Sequence, residues 1–384
     1  YCTINAAAGK VVPGVTVQVA AGTYTEKVTV GGNGTAVAPI TLSPAPGAVV
    51  TVTGGANGFV VTNKSWVSIR GFAIDATKNP GITISGGSNI TLDGNHVTHS
   101  GNPVNGDTAV GIKLSGVTDS LVVNNITDHN SDAGILVTTD ANNNVIRHNE
   151  SFANARGYVR AAAGIDIRNT TGNVVTGNTT HDNEDSGINL WTGSAQGSNL
   201  ATNNLTYSNG DHGIDVHNAI DARVIANTVY SNYDSGIEMT TSTGSVLANN
   251  ISIDNGIGSL RTSGNIRADK ASYLTATVND DLVFLRVPGV MVDWGGVKYS
   301  SLASFRAATG QESRGIEADP RFTNPTVADF HLLVGSPAID AANTAAPWQP
   351  LVDFDGHIRY DDATPDSGVG PITFADRGAF EYHP

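Results

Sequence analysis

The chain has 384 residues and a formal charge of −14, which opposes binding to nucleic acid or to an anionic membrane surface. Charged residues make up 15% and glycine supplies 44 positions, a composition that favours many short strands joined by polar turns over long helices. The lone Cys2 excludes an internal disulfide and a zinc site of the cysteine type, and without an apolar run of about eighteen residues the chain is expected to be soluble.

In chain order, "TINAAAGKVV" predicts a short N-terminal capping helix within residues 1–13. The start, "YCTINAAAGKVV", lacks a basic, apolar leader, and the expectation is a trimmed, secreted protein. Strand-like runs such as "VTVQVAAGTY", "PITLSP" and "SWVSIRGFAI" follow over residues 14–100, as early and irregular coils.

From Asn125 onward a phrase repeats. Asparagines five apart recur as Asn125/Asn130, Asn149/Asn154, Asn178/Asn183, Asn204/Asn209, Asn227/Asn232 and Asn250/Asn255, with first members separated by 24, 29, 26, 23 and 23 residues. Such a period belongs to stacked solenoid coils. Each repeat holds three short alternating segments, as in "NVVTGN", "TTHDN" and "GINLW", which predicts three strands per coil. Stacked about 4.8 Å apart, equivalent asparagines can bond to the coils above and below. Gly134, Gly164, Gly187, Gly213 and Gly236 each precede an isoleucine and are expected to supply a positive φ between turn and strand.

After each isoleucine the side chains alternate. One outward column is Lys113, Leu136, Asp166, Asn189, Asp215, Glu238 and Arg267; a second holds Arg168, Trp191 and His217. Insertions before Gly111 ("GNPVNGDT") and Gly164 ("ARGYVRAAA", with Arg156, Tyr158 and Arg160) leave one corner and are expected to wall a groove across the coils. His96, His99 and His181 fall at turns without metal-ligand spacing and are read as surface residues.

Beyond residue 256 the phrase stops. "SSLASFRAATGQ" predicts a helix, and "ADPRF", "FHLLVGSPAID" and "DRGAFEY" form an irregular cover. The whole reads as one all-β domain over 1–384, a parallel β-helix with a cap (1–13), coils (14–255) and last coils plus C-terminal cover (256–384).

These residues resemble the right-handed parallel β-helix polysaccharide lyases of bacteria, the family-nine pectate lyases among them. "EDSGINLW" is similar to the "DDGFDLW"-like phrase that supplies calcium-binding aspartates there, with Ser186 and Asn189 at two of its acidic positions. "GIDV" places Asp215 where that family carries its basic lysine. The resemblance implies a secreted, monomeric enzyme acting on a polysaccharide, with Ca2+ as a candidate cofactor held by Asp166, Asp185 and Asp215.

The residues themselves allow three readings. In a lyase, Asp166, Arg168, Asp215, His217 and Glu238 carry catalysis, while Lys113, Arg156, Tyr158, Arg160, Asn189, Trp191 and Arg267 hold the polymer through charge and stacking. In a glycoside hydrolase, the same carboxylates act in pairs: strand spacing puts Asp215 about 5 Å from Glu238 and about 9–10 Å from Asp166, bracketing the retaining and inverting geometries. In a noncatalytic glycan-binding β-helix, they are ordinary surface.

Overall fold

A computed structural model describes residues 1–102, 106–157, 162–193, 197–362 and 366–384. The chain divides into two compact units, Tyr1–Val174 with Thr180–Asp185, and Val175–Thr179 with Ser186–Pro384. Among the described residues no helix is long and apolar enough to cross a membrane.

The first unit opens with helix α1, Ile4–Ala8. Thr3 caps it by accepting from the Ala6 amide at 3.1 Å, and Ile4 and Ala8 are buried. Behind the cap, parallel strands stack in register. Ile82 pairs with Ile112, Ile112 with Ile135 and Ile135 with Ile165, and none of the four exposes any surface.

The second unit continues the same plan with three strands per coil, for example Ile214–His217, Arg223–Ile225 and Thr228–Tyr230. The stack therefore grows three parallel faces at once. On one face Ile188, Ile214, Ile237, Ile266 and Val292 pair in sequence. On another Ala201, Val224, Leu247 and Val278 do so. Helix α2, Leu302–Thr309, is capped by Ser301 and ends at Gly310 in the left-handed conformation. The C-terminal cover then lays Phe322, Phe330, Ile339 and Phe380 against Leu205, Ile251 and Leu282.

The repeated asparagines are buried and bond from coil to coil. In the second unit the Nδ2 of Asn178 donates to Asn204 Oδ1 at 3.0 Å, Asn204 to Asn227 at 2.9 Å and Asn227 to Asn250 at 3.0 Å. Each Oδ1 also accepts the backbone amide of the asparagine in the neighbouring coil. The residue before each ladder asparagine is left-handed, as at Asn203, Ala226 and Asn249, so the tight corner puts the amide inside. Replacing Asn227 with Ala should cost at least about 2 kcal/mol in a urea melt, because it takes the acceptor away from both the buried backbone amide and the Nδ2 of Asn204.

The glycines before isoleucine are needed for a different reason from the one expected. Gly134, Gly213 and Gly236 do not have positive φ. A Cβ at Gly213 would lie 2.7 Å from Asn232 Nδ2, and one at Gly236 2.7 Å from Asn255 Nδ2. Here the chain passes too close to the asparagine ladder for any side chain.

Three turn histidines of the first unit lie against carboxylates. His96 Nε2 is 2.5 Å from Asp128, His99 Nδ1 3.0 Å from Asp75, and His181 Nε2 3.3 Å from Glu150. Burial works to raise the Asp128 pKa, but hydrogen bonds from His96, His129 and Thr98 outweigh it and bring the carboxyl down to about 2. The bond to Asp128 raises His96 above its ordinary value against the opposing effect of burial. A depressed acid stabilises above its unfolded pKa near 4, and that stability drains as pH falls toward 2; a raised histidine stabilises below about 6.5, and its share is lost as pH climbs through its folded value. The His96–Asp128 pair should therefore contribute most between about pH 4 and 6.5, and Asp128→Asn should remove that contribution from melting temperature plotted against pH.

Candidate functional site

The Gly-Ile strands of the second unit carry a continuous outward column. Asn189 pairs with Asp215, Asp215 with Glu238, Glu238 with Arg267 and Arg267 with Asp293. Alternation along each strand keeps the isoleucines in the core and these polar residues on the other side. Beside the column, the rings of Trp191 and His217 meet edge to face at 5.5 Å.

The column is covered at one end. Glu238 is only 4% exposed; it forms ion pairs with Arg267 and with His212 Nε2 and accepts from Thr240 Oγ1 at 2.7 Å. His212 Nε2 lies 3.1 Å from Asp211. A segment after Asn255 folds over this network: Arg261 Nη2 sits 3.1 Å from Asp211 and 2.6 Å from Asp234, and Ser259 Oγ donates to Asp234. Glu238 thus points outward, as alternation requires, yet does not meet open solvent, because its charge is enclosed by a guanidinium and an imidazole. Asp215, Asn189, Trp191, His217 and Arg267 are half-buried, as the walls of a shallow face.

Other expected residues belong to the first unit. Asp166 is 3% exposed and bonded by Arg168 Nη2 at 2.5 Å, so the two compensate each other. Arg156 is exposed and donates to the Asp182 carbonyl at 2.6 Å. Lys113 and Asp185 are half-buried. Tyr158 and Arg160 lie outside the described residues.

Asp211, His212, Asp234 and Arg261 were not among the expected residues. The signal for the first three was present: Asp132, Asp185, Asp211 and Asp234 each stand two residues before the Gly of a Gly-Ile strand, and His212 stands immediately before one, where other repeats have Ala133, Ser186 and Ser235. Donor atoms of Asp211, His212 and Asp234 lie within 4.8 Å of one another. Two carboxylates spanned by a guanidinium mark a place that attracts positive charge.

A family model described as right handed beta helix region matches residues 48–199 and 161–270. The chain belongs to the right-handed β-helix family. Among solved structures this β-helix is similar to pectate lyase Pel9A, with TM-score 0.61 and 16% identity, covering 98% of this chain and 90% of that one. An alginate lyase from Paenibacillus sp. str. FPU-7 gives TM-score 0.54 at 19% identity, covering 77% and 96%. The A-module of Azotobacter vinelandii mannuronan C-5 epimerase AlgE6 gives 0.57 at 16%, covering 73% and 80%. At these identities the likeness is one of fold. A search of curated proteins found no match.

Proposed function

We propose that this β-helix is a secreted, monomeric polysaccharide lyase that cleaves a uronic-acid polymer by β-elimination on the face bearing Asn189, Asp215 and Glu238. The observation that carries the reading is the alternation of carboxylate, imidazole and guanidinium in one connected network, Arg267–Glu238–His212–Asp211–Arg261–Asp234, beside Asp215. Elimination needs a cation to neutralise the uronate carboxylate so that the C5 proton becomes acidic, a base to remove it, and an acid for the departing oxygen. Arg261, whose side chain is 60% exposed, can turn one edge to the uronate. Asp215 is assigned as base, His217 as proton donor to the leaving oxygen, and Trp191 as the surface on which a sugar ring stacks.

Calcium fits this arrangement in one respect, since Asp211 and Asp234 already bracket a positive charge. When bound there it would share the task of neutralising the uronate. The paired-carboxylate hydrolase is less well supported, because Glu238, locked between Arg267 and His212, is not placed to give a proton to a glycosidic oxygen.

The test is incubation with pectate, alginate and related polymers, with and without Ca2+. The expected result is ultraviolet absorbance from the new C4–C5 double bond. Reducing sugar without that absorbance would favour the hydrolase, and binding without turnover a glycan-binding protein.

A further inference from the structure

The C-terminal cover holds a cluster of donor atoms that the network above does not use. Asp353, His357 and His383 each offer one ligand atom, all within 4.8 Å of one another. We propose that these three residues bind a divalent transition ion of the zinc class, which staples the segment after Glu381 to the turn 353–357.

The chemistry of the set decides the class of ion. Two imidazole nitrogens and one carboxylate oxygen suit Zn2+ and its neighbours Co2+ and Ni2+, whereas Ca2+ and Mg2+ take six or more oxygens. Three protein ligands leave a fourth tetrahedral position for water. Zinc bonds near 2.0–2.1 Å put tetrahedral ligand atoms about 3.4 Å apart. His357 Nδ1 is 3.8 Å from Asp353 Oδ2, so small rotations of the imidazoles close the shell. The His357 side chain, 60% exposed, is free to make such a rotation.

The carboxylate is prepared for the role. The Asp353 side chain has no exposed surface, and its oxygens accept from the His357 amide at 2.7 Å and the Glu381 amide at 3.2 Å. Each of these donors belongs to, or lies two residues before, one of the histidine ligands. The anion therefore fixes both chain segments on which the ligands sit. Gly356, with φ +84°, bends the turn so that His357 returns over Asp353. Beneath the cluster, Glu381 accepts from Arg359 Nη1 at 2.7 Å and from the Tyr360 amide at 2.9 Å, while the His357 and His383 rings stand 4.9 Å apart. Ligands held by such outer partners lose less freedom on binding an ion.

The full chain, free of any histidine tag and stripped with EDTA, is titrated with Zn2+ by calorimetry and with Co2+ by visible absorbance. The expected result is a zinc site of micromolar affinity or tighter, with a tetrahedral cobalt spectrum, undiminished by excess Ca2+. His357→Ala and His383→Ala should each weaken it at least about tenfold, the least that loss of even an outer partner costs at such sites. His212→Ala, which alters the other donor cluster, should leave it intact. Both ligand histidines are exposed, and circular dichroism checks that their variants fold. Absence of zinc binding by the parent chain, or binding equal in the parent and in the folded His357→Ala/His383→Ala protein, would overturn the proposal.

Discussion

Replacing Asp215 with Asn should lower turnover of a uronate polymer at least about a hundredfold, the usual scale for losing a proton-transfer group. The substitution keeps the shape of the side chain. It leaves in place the strand Ile214–His217 and its pairing with Ile188–Trp191 and Ile237–Thr240, so stability should hardly move. Polymer affinity should be retained or rise slightly, because a negative charge facing an anionic chain is removed. Initial rates of double-bond formation, measured beside a denaturant melt, separate these effects. A parallel Trp191→Ala variant should raise KM more than it lowers kcat if the ring only holds a sugar. Full activity in a folded Asp215→Asn protein would place the base elsewhere, with His212 as the next candidate to test.

The fold was legible because its determinants are periodic. Asn204, Asn227 and Asn250 announce both the coil length and the inward amides that join one coil to the next; the isoleucines from Ile188 to Ile266 announce the core. The outward columns could also be read, since strand alternation is obligatory. What periodicity did not reveal was cover. Glu238 and Asp166 sit at outward positions yet are buried, because an outward residue faces whatever the loops put there, and the segment carrying Ser259 and Arg261 follows no repeat. The glycines were read correctly as obligatory, but for the wrong physical cause: a steric approach between segments about twenty residues apart, such as Gly213 to Asn232, leaves no trace in local backbone preference. His212 was visible only as a departure from the small residues at its position.

Replacing Arg377 with Met should destabilise the cover by about 3–5 kcal/mol, since three buried carbonyls lose their donor and nearby buried acids lose a positive charge. Arg377 is 2% exposed. Its Nε donates to the Ala341 carbonyl at 2.8 Å, Nη1 to Asp281 at 3.0 Å and Nη2 to Arg314 at 2.8 Å, so one side chain ties together three segments. It also stands where the asparagine ladder ends, for Asp281 Oδ1 accepts from Asn250 Nδ2 at 2.9 Å in the place of another asparagine. Burial pushes the Asp281 carboxyl up to about 6 despite hydrogen bonds that lower it. Glu312 beside it is raised well above its usual range by burial and by the charge of Asp281. The folded state therefore holds protons that the unfolded chain releases near pH 4, and stability falls as pH rises from about 4 through 6 and beyond. Arg377 tempers that loss by favouring the charged carboxyls. Without it the slope should steepen, and the deficit of Arg377→Met should be smaller at pH 5, where the acids retain more of their protons, than at pH 8. Urea melts of both proteins at the two pH values measure this directly; equal deficits would mean that Arg377 acts through its three carbonyl contacts alone, and a deficit below about 1 kcal/mol would mean that the cover does not depend on it.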